Sequence, residues 1–196
     1  MTKLQVAIDL LTTEAALELA AKVAPYVDII ELGTPLIKAE GLSVVTAMKA
    51  AFPDKLVFAD MKTADTGALE AEMAFKAGAD LVTVMGAVDD ATIKGAVEAA
   101  NKYGKKVVVD TIGVKDRVQR AKEVTAFGVA FVELHAGLDE QALPGYSVQT
   151  LISEGREAKV PFSVAGGVNI DTIKDVVAAG ADVAVAGGAI YGAKDP

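Results

Sequence analysis

Five apolar runs of this chain stop on a side chain that can move a proton or hold a cation. Leu4–Ile8, Val27–Ile30, Leu56–Ala59, Val107–Val109 and Phe131–Leu134 are followed by Asp9, Glu31, Asp60, Asp110 and His135. Two later runs, Phe162–Ala165 and Val183–Ala186, end in Gly166-Gly167 and Gly187-Gly188. If the runs are parallel strands, these groups collect at one face of the sheet. In a closed (β/α)8 barrel that face carries the chemistry. A single charge after a strand only bounds the strand; five acid or imidazole groups and two glycine pairs at equivalent positions exceed what solvation accounts for.

Asp60-Met61-Lys62-Thr63-Ala64-Asp65 is the sharpest of these endings. Alternation along an extended segment puts Asp60 and Lys62 on one side. A carboxylate and an ammonium so placed bind a metal and stabilise a developing oxyanion. Asp65 reads either as part of that site or as the N-cap of the next helix. Glu31 reads either as a second ligand to a hard divalent ion beside Asp60 or as a rim carboxylate paired to a lysine. His135 is the only histidine, which excludes a multi-histidine zinc site and suits proton transfer near neutral pH. Asp139 either orients a substrate or caps a helix. Asp9 and Asp110 complete the ring as charge partners for Lys62 or His135. The two glycine pairs favour a phosphate approached by backbone N–H groups over two tight turns.

The elements that must position these groups recur on a regular beat. Strand-like runs begin near 4, 27, 56, 81, 106, 131, 162 and 183, at intervals of 21 to 31 residues. Each interval holds one strand, one helix and two short loops. The runs are continuous in Val, Ile and Ala, as in a sheet covered by helices. The patterns between them predict helices over Ala15–Val23 behind a threonine cap, Asp65–Lys76, Asp89–Tyr103, Lys115–Phe127, Thr150–Ala158 and Ile170–Ala179. Ala-Gly-Ala-Asp occurs at 77–80 and again at 179–182, one unit reused. The expected fold is an α/β (β/α)8 TIM barrel in one domain, 1–196, with an open doubly wound sheet as runner-up. The sequence stops at Ala193-Lys194-Asp195-Pro196, where an eighth outer helix should start, so that helix is expected to be missing from it.

The chain's 196 residues, 52% hydrophobic with 18 glycines, suffice for a substantial core. A net charge of −8 argues against nucleic acid or an anionic membrane as partner, though a local site can still take a small anion. The absence of Cys removes thiolate catalysis and disulfides and fits a cytoplasmic setting. No signal peptide and no run of membrane-spanning length stands out.

Four segments carry a resemblance: Gln5-Val6-Ala7-Ile8-Asp9-Leu10, Ile30-Glu31-Leu32-Gly33-Thr34-Pro35, Asp60-Met61-Lys62-Thr63-Ala64-Asp65 and Val164-Ala165-Gly166-Gly167-Val168. The chain resembles the orotidine 5′-phosphate decarboxylase superfamily along essentially its whole length, and within it the hexulose-phosphate synthases. The resemblance implies a Mg²⁺-dependent aldol condensation of formaldehyde with C1 of D-ribulose 5-phosphate. It implies that Glu31 and Asp60 bind the Mg²⁺, that Lys62 stabilises a cis-enediolate and that His135 shuttles protons. It implies that Gly166, Gly167, Gly187 and Gly188 hold the phosphate, and that the protein is a homodimer whose Asp65 acts in the partner's site. The related 3-keto-L-gulonate 6-phosphate decarboxylases carry Arg where this chain has Leu138 and Glu where it has Asp110, so both positions favour the synthase. Thr111 stands where an apolar residue is expected in synthases. A non-catalytic sugar-phosphate-binding barrel is the alternative of a different class.

Overall fold

The computed structural model describes residues 1–196. Its strands are β1 (Lys3–Ile8), β2 (Ile29–Leu32), β3 (Leu56–Thr63), β4 (Leu81–Met85), β5 (Lys106–Asp110), β6 (Phe131–His135), β7 (Phe162–Ala165) and β8 (Val183–Ala186). All pair in parallel, each with the next, and β8 pairs back onto β1 to close a barrel. The helices between them are α1 (Thr13–Val23), α2 (Thr34–Glu40), α3 (Ser43–Ala51), α4 (Gly67–Ala77), α5 (Asp90–Tyr103), α6 (Arg117–Thr125), α7 (Leu138–Gln141), α8 (Val148–Ala158), α9 (Ile173–Ala178) and α10 (Gly188–Tyr191). None is long and apolar enough to cross a membrane. The eight strands fall where the apolar runs predict them, because a strand covered on both faces needs continuous Val, Ile and Ala.

Several helix bounds differ from the sequence pattern. Helices α2 and α3 are not singled out by it; Gly41, at φ 68°, splits the stretch into two short pieces. Helix α4 begins at Gly67, not Asp65, and its N-cap is Thr66 in the left-handed region. The cause is close packing: a Cβ on Gly67 would lie 1.9 Å from the Thr92 carbonyl oxygen of α5. Asp65 is therefore not a helix cap, and its Oδ1 accepts the N–H of Thr66. Helix α9 starts at Ile173 because Asn169 Oδ1 accepts the N–H groups of Asp171 and Thr172 and holds that stretch as a turn. After β8 the chain carries the four-residue α10 and reaches Pro196.

The amino ends of the strands share one device. Asp28, Asp80 and Asp182 each precede an even-numbered strand. Their carboxylates accept the N–H of Leu4, Val57 and Phe162 at 2.9, 3.0 and 3.0 Å. Each aspartate also donates its own N–H to the carbonyl of that same residue. The equivalent position before β6 is Ala130, which keeps only the backbone half of the clamp.

Tracing the register around the barrel gives inner layers of four side chains from alternate strands. The floor is Ile29, Leu81, Phe131 and Val183, and on it rests the layer of Gln5, Phe58, Val108 and Ser163. Above it come Glu31, Thr83, Glu133 and Val185, and then Ala7, Asp60, Asp110 and Ala165. The polarity rises toward the carboxyl ends, so the barrel axis runs from a packed floor into a charged mouth.

Candidate active site

A cavity of about 1240 Å³ opens at the carboxyl ends of the strands. Asp9, Glu31, Asp60, Lys62, His135, Asp139 and the glycines 166, 167, 187 and 188 all line it. Lys62 is its only lysine or arginine.

Lys62 reaches its position by an irregularity, not by simple alternation. The β3–β4 register shifts between Ala59 and Thr63, and Lys62 sits at φ 44°. Thr83 of β4 fixes this bend: its hydroxyl accepts the Lys62 N–H and donates to Asp60 Oδ1, both at 2.8 Å. The ammonium then lies 2.7 Å from Asp60 Oδ2 and 3.0 Å from Asp110 Oδ2. Burial pulls the Lys62 ammonium toward losing its proton, but Asp60 and then Asp110 outweigh that and hold it charged well above the ordinary lysine range.

Asp60 Oδ2 also accepts the Thr34 hydroxyl at 2.7 Å, so the start of α2 is tied to the end of β3. Asp110 is fully buried. Burial pushes its carboxyl up, and the His135 ring, Lys62 and the Ile112 N–H together carry it down to about 2. His135 Nδ1 lies 2.9 Å from Asp110 Oδ2. An ionised carboxylate only accepts, so the shared proton belongs to Nδ1 and Nε2 is left as the basic nitrogen. Thr111, the polar residue unexpected from the resemblance, is buried for a reason: its hydroxyl donates to the Glu133 carbonyl and accepts the His135 N–H, fixing the end of β6.

Glu31 is buried, and its Oε2 accepts the Gln5 side-chain amide at 2.7 Å. Burial, and then the negative charge of Asp60, push it up to about 8. Asp9 is raised by the same two causes. The site therefore sets the carboxyls of Asp9, Glu31, Asp60, Asp110 and Glu133 against one ammonium. That excess of hard oxygen donors fits a divalent ion such as Mg²⁺ at Glu31 and Asp60. Asp110, Glu133 and His135 also bring ligand atoms within 4.8 Å of one another. There the Asp110 oxygens also serve Lys62, His135 and the Ile112 N–H.

The first glycine pair is a requirement of the backbone, with Gly166 at φ 117° and Gly167 at φ 74°. The second is a matter of proximity: a Cβ on Gly187 would stand 3.4 Å from the Ala7 carbonyl oxygen of β1, and Gly188 opens α10. Asp139 lies in the first turn of α7, whose N-cap is Gly137, so it does not cap that helix; it faces the cavity. Asp65 lies outside the cavity and is exposed. Glu133, Gln5, Thr34 and Thr83 are site residues that the run endings do not reveal. Glu133 was legible by period two, since residues 131, 133 and 135 share one strand face.

Replacing His135 with asparagine is expected to lower kcat about 10²-fold, the scale of one positioned acid–base group, without loss of fold. Normal turnover, or a variant that no longer melts cooperatively, would assign the ring a packing role.

The family model described as orotidine 5′-phosphate decarboxylase / HUMPS family matches residues 2–196. A protein of Mycobacterium gastri named 3-hexulose-6-phosphate synthase is 70% identical over 99% of this chain and 94% of its own length. A crystal structure of a 3-hexulose-6-phosphate synthase, 70% identical, superposes with a TM-score of 0.99 over 100% of this chain and 94% of the other. A 3-keto-L-gulonate-6-phosphate decarboxylase from Vibrio cholerae is 30% identical, with a TM-score of 0.85 over 99% of this chain and 92% of that one.

Proposed function

The chain belongs to the orotidine 5′-phosphate decarboxylase / HUMPS family, and we propose that within it this protein joins formaldehyde to C1 of D-ribulose 5-phosphate. The product is D-arabino-3-hexulose 6-phosphate, which makes the protein an aldehyde-lyase. The observation that carries this reading is the arrangement of Lys62 between Asp60 and Asp110, with His135 on the same Asp110 oxygen. It places a fixed positive charge beside a basic nitrogen, as removal of a proton next to a ketone requires.

The phosphate is held by the backbone of Gly166-Gly167 and of Gly187-Gly188, the latter leading into the first turn of α10 with its unpaired N–H groups. That anchor leaves the sugar to extend over Lys62. His135 Nε2 takes the C1 proton. Asp110 keeps the ring in the tautomer this step needs and stabilises the imidazolium that forms. Lys62 faces the oxygens on which negative charge develops. Glu31 and Asp60 would hold Mg²⁺, which when bound supplies a second positive charge for those oxygens. Asp9, just after β1, faces the same cavity.

The decarboxylase reading is disfavoured by Leu138. It is 72% exposed on the rim of the cavity and offers no donor to position a water that would protonate the carbanion. The test is consumption of formaldehyde that depends on added ribulose 5-phosphate, against release of CO₂ from 3-keto-L-gulonate 6-phosphate. A higher kcat/KM for the keto-gulonate would overturn the choice between the two.

The protein acts as a cytoplasmic homodimer in this proposal, with Asp65 completing the partner's site. Asp65 is exposed shortly before α4, on which Leu69 and Met73 are exposed one turn apart and offer an apolar face to a second copy. An inactive Asp65→Ala chain mixed with an inactive His135→Asn chain is expected to regain turnover, since one of the two hybrid sites holds both groups. Heterodimers of proven composition that stay inactive would remove Asp65 from the site.

A further inference from the structure

Glu133 stands apart from the other carboxyl groups of the cavity. It occupies the middle of β6, inside the barrel, in the layer with Glu31, Thr83 and Val185. It is 3% exposed, and what remains open faces the cavity. Asp60 is held by Thr34, Thr83 and Lys62, Asp110 by Lys62, His135 and the Ile112 N–H, and Glu31 by Gln5. The Glu133 carboxyl group has no ion pair and no hydrogen-bond partner in the protein, so a buried polar group points unpaired into the site. Burial pushes its proton affinity well up. A carboxyl group buried without a partner favours its neutral, protonated form, which has a proton to give. The reaction proposed above needs such a donor and has not been assigned one. Lys62 is bound by two carboxylates, and His135 Nε2 starts as the base.

We propose that Glu133 is a further catalytic residue, the acid that protonates the aldehyde oxygen as the new carbon–carbon bond forms. The proposal rests on the aldol reading of this site. His135 Nε2 takes the proton from C1, leaving the electron pair on the sugar. C1 then attacks the carbon of formaldehyde, and the carbonyl π pair moves onto its oxygen. The Glu133 proton passes to that oxygen, which becomes the hydroxyl of the new CH2OH group. The Glu133 carboxylate regains a proton from the imidazolium of His135, two residues along the same strand face. One ligand atom of each residue lies within 4.8 Å of the other's, and the proton count closes without a further reactant.

The first half of this sequence needs no aldehyde, and that separates the roles. The experiment uses Glu133→Gln, which keeps size and hydrogen-bonding capacity but has no acid proton. Exchange of the C1 hydrogen of ribulose 5-phosphate with solvent deuterium is followed without formaldehyde. Formaldehyde consumption is followed separately. Glu133→Gln is expected to lower kcat for condensation about 10²-fold while C1 exchange stays within about threefold of the unsubstituted protein. Glu133→Asp, which retains an acid, is expected to recover part of the loss, and it carries the same comparison if the glutamine variant does not fold. Parallel loss of exchange and condensation, or condensation unchanged in Glu133→Gln, would overturn the proposal. An unsubstituted protein showing neither exchange nor condensation would instead overturn the aldol reading itself, and the role of Glu133 with it.

Discussion

Replacing Lys62 with alanine is expected to lower kcat/KM about 10³-fold and to destabilise the protein by about 3–5 kcal/mol. The two effects share one cause. The ammonium lies 2.7 Å from Asp60 and 3.0 Å from Asp110, whose side chains are 6% and 0% exposed. Removing it leaves two buried carboxylates without their cation, the case in which breaking a buried pair costs most. It also removes the one fixed positive charge of the cavity. For a chain of this length that destabilisation corresponds to a fall in Tm of roughly 10 °C. Adding Asp110→Asn should return part of the lost stability, because it removes one of the stranded charges, but it should return none of the turnover. A single variant with normal Tm and reduced kcat would mean that the ion pairs contribute no stability. A variant with normal kcat would remove Lys62 from the chemistry.

Chelation of divalent ions is expected to reduce both C1 exchange and condensation about 10³-fold, and Mg²⁺ should restore them. Acidic side chains crowd a single ammonium in this cavity, and Glu31 is already pushed toward protonation by burial and then by Asp60. A divalent ion relieves that repulsion in the resting protein as well as in the reaction. The same ion should therefore stabilise the protein in the absence of substrate by about 2.7 kcal/mol at a hundredfold excess over its Kd, and raise Tm accordingly. Thermal melting with Mg²⁺ and with EDTA gives a readout independent of turnover. Equal Tm and equal activity in both would remove the cation from Glu31 and Asp60.

The eight strands and the ring Asp9, Glu31, Asp60, Asp110 and His135 were legible because a covered parallel strand has a continuous apolar signature that ends abruptly. Other features escaped the sequence for identifiable reasons. Glu133 is embedded in Phe131–Leu134 and reads as an interruption of an apolar run, although its period places it inside. Thr34 and Thr83 carry no charge, and only their bonds to Asp60 single them out. The approach of Lys62 to Asp60 depends on a residue at φ 44° and a register shift, which residue types do not announce. The start of α4 was misplaced because Gly67 is demanded by the Thr92 carbonyl on another helix, a contact between distant parts of the chain.

The aspartate clamps beneath the barrel have a consequence for how the chain acquires its activity. They join residues 24, 23 and 20 positions apart, β1 to β2, β3 to β4 and β7 to β8. The seam between β8 and β1 joins residues as far apart as Thr2 and Ala181, a separation of 179. Closing that longer loop from an unstructured chain costs about 2 kcal/mol more than closing a clamp. Local pairs therefore form early, while the seam waits for the rest of the chain. Asp9 at the end of β1 and Gly187 at the end of β8 lie on either side of that seam. A nascent chain assembles most of its sheet before this junction exists, and the mouth of the cavity between Asp9 and Gly187 is made only when it shuts. Catalytic competence is then the last event of folding, and the appearance of turnover marks its completion.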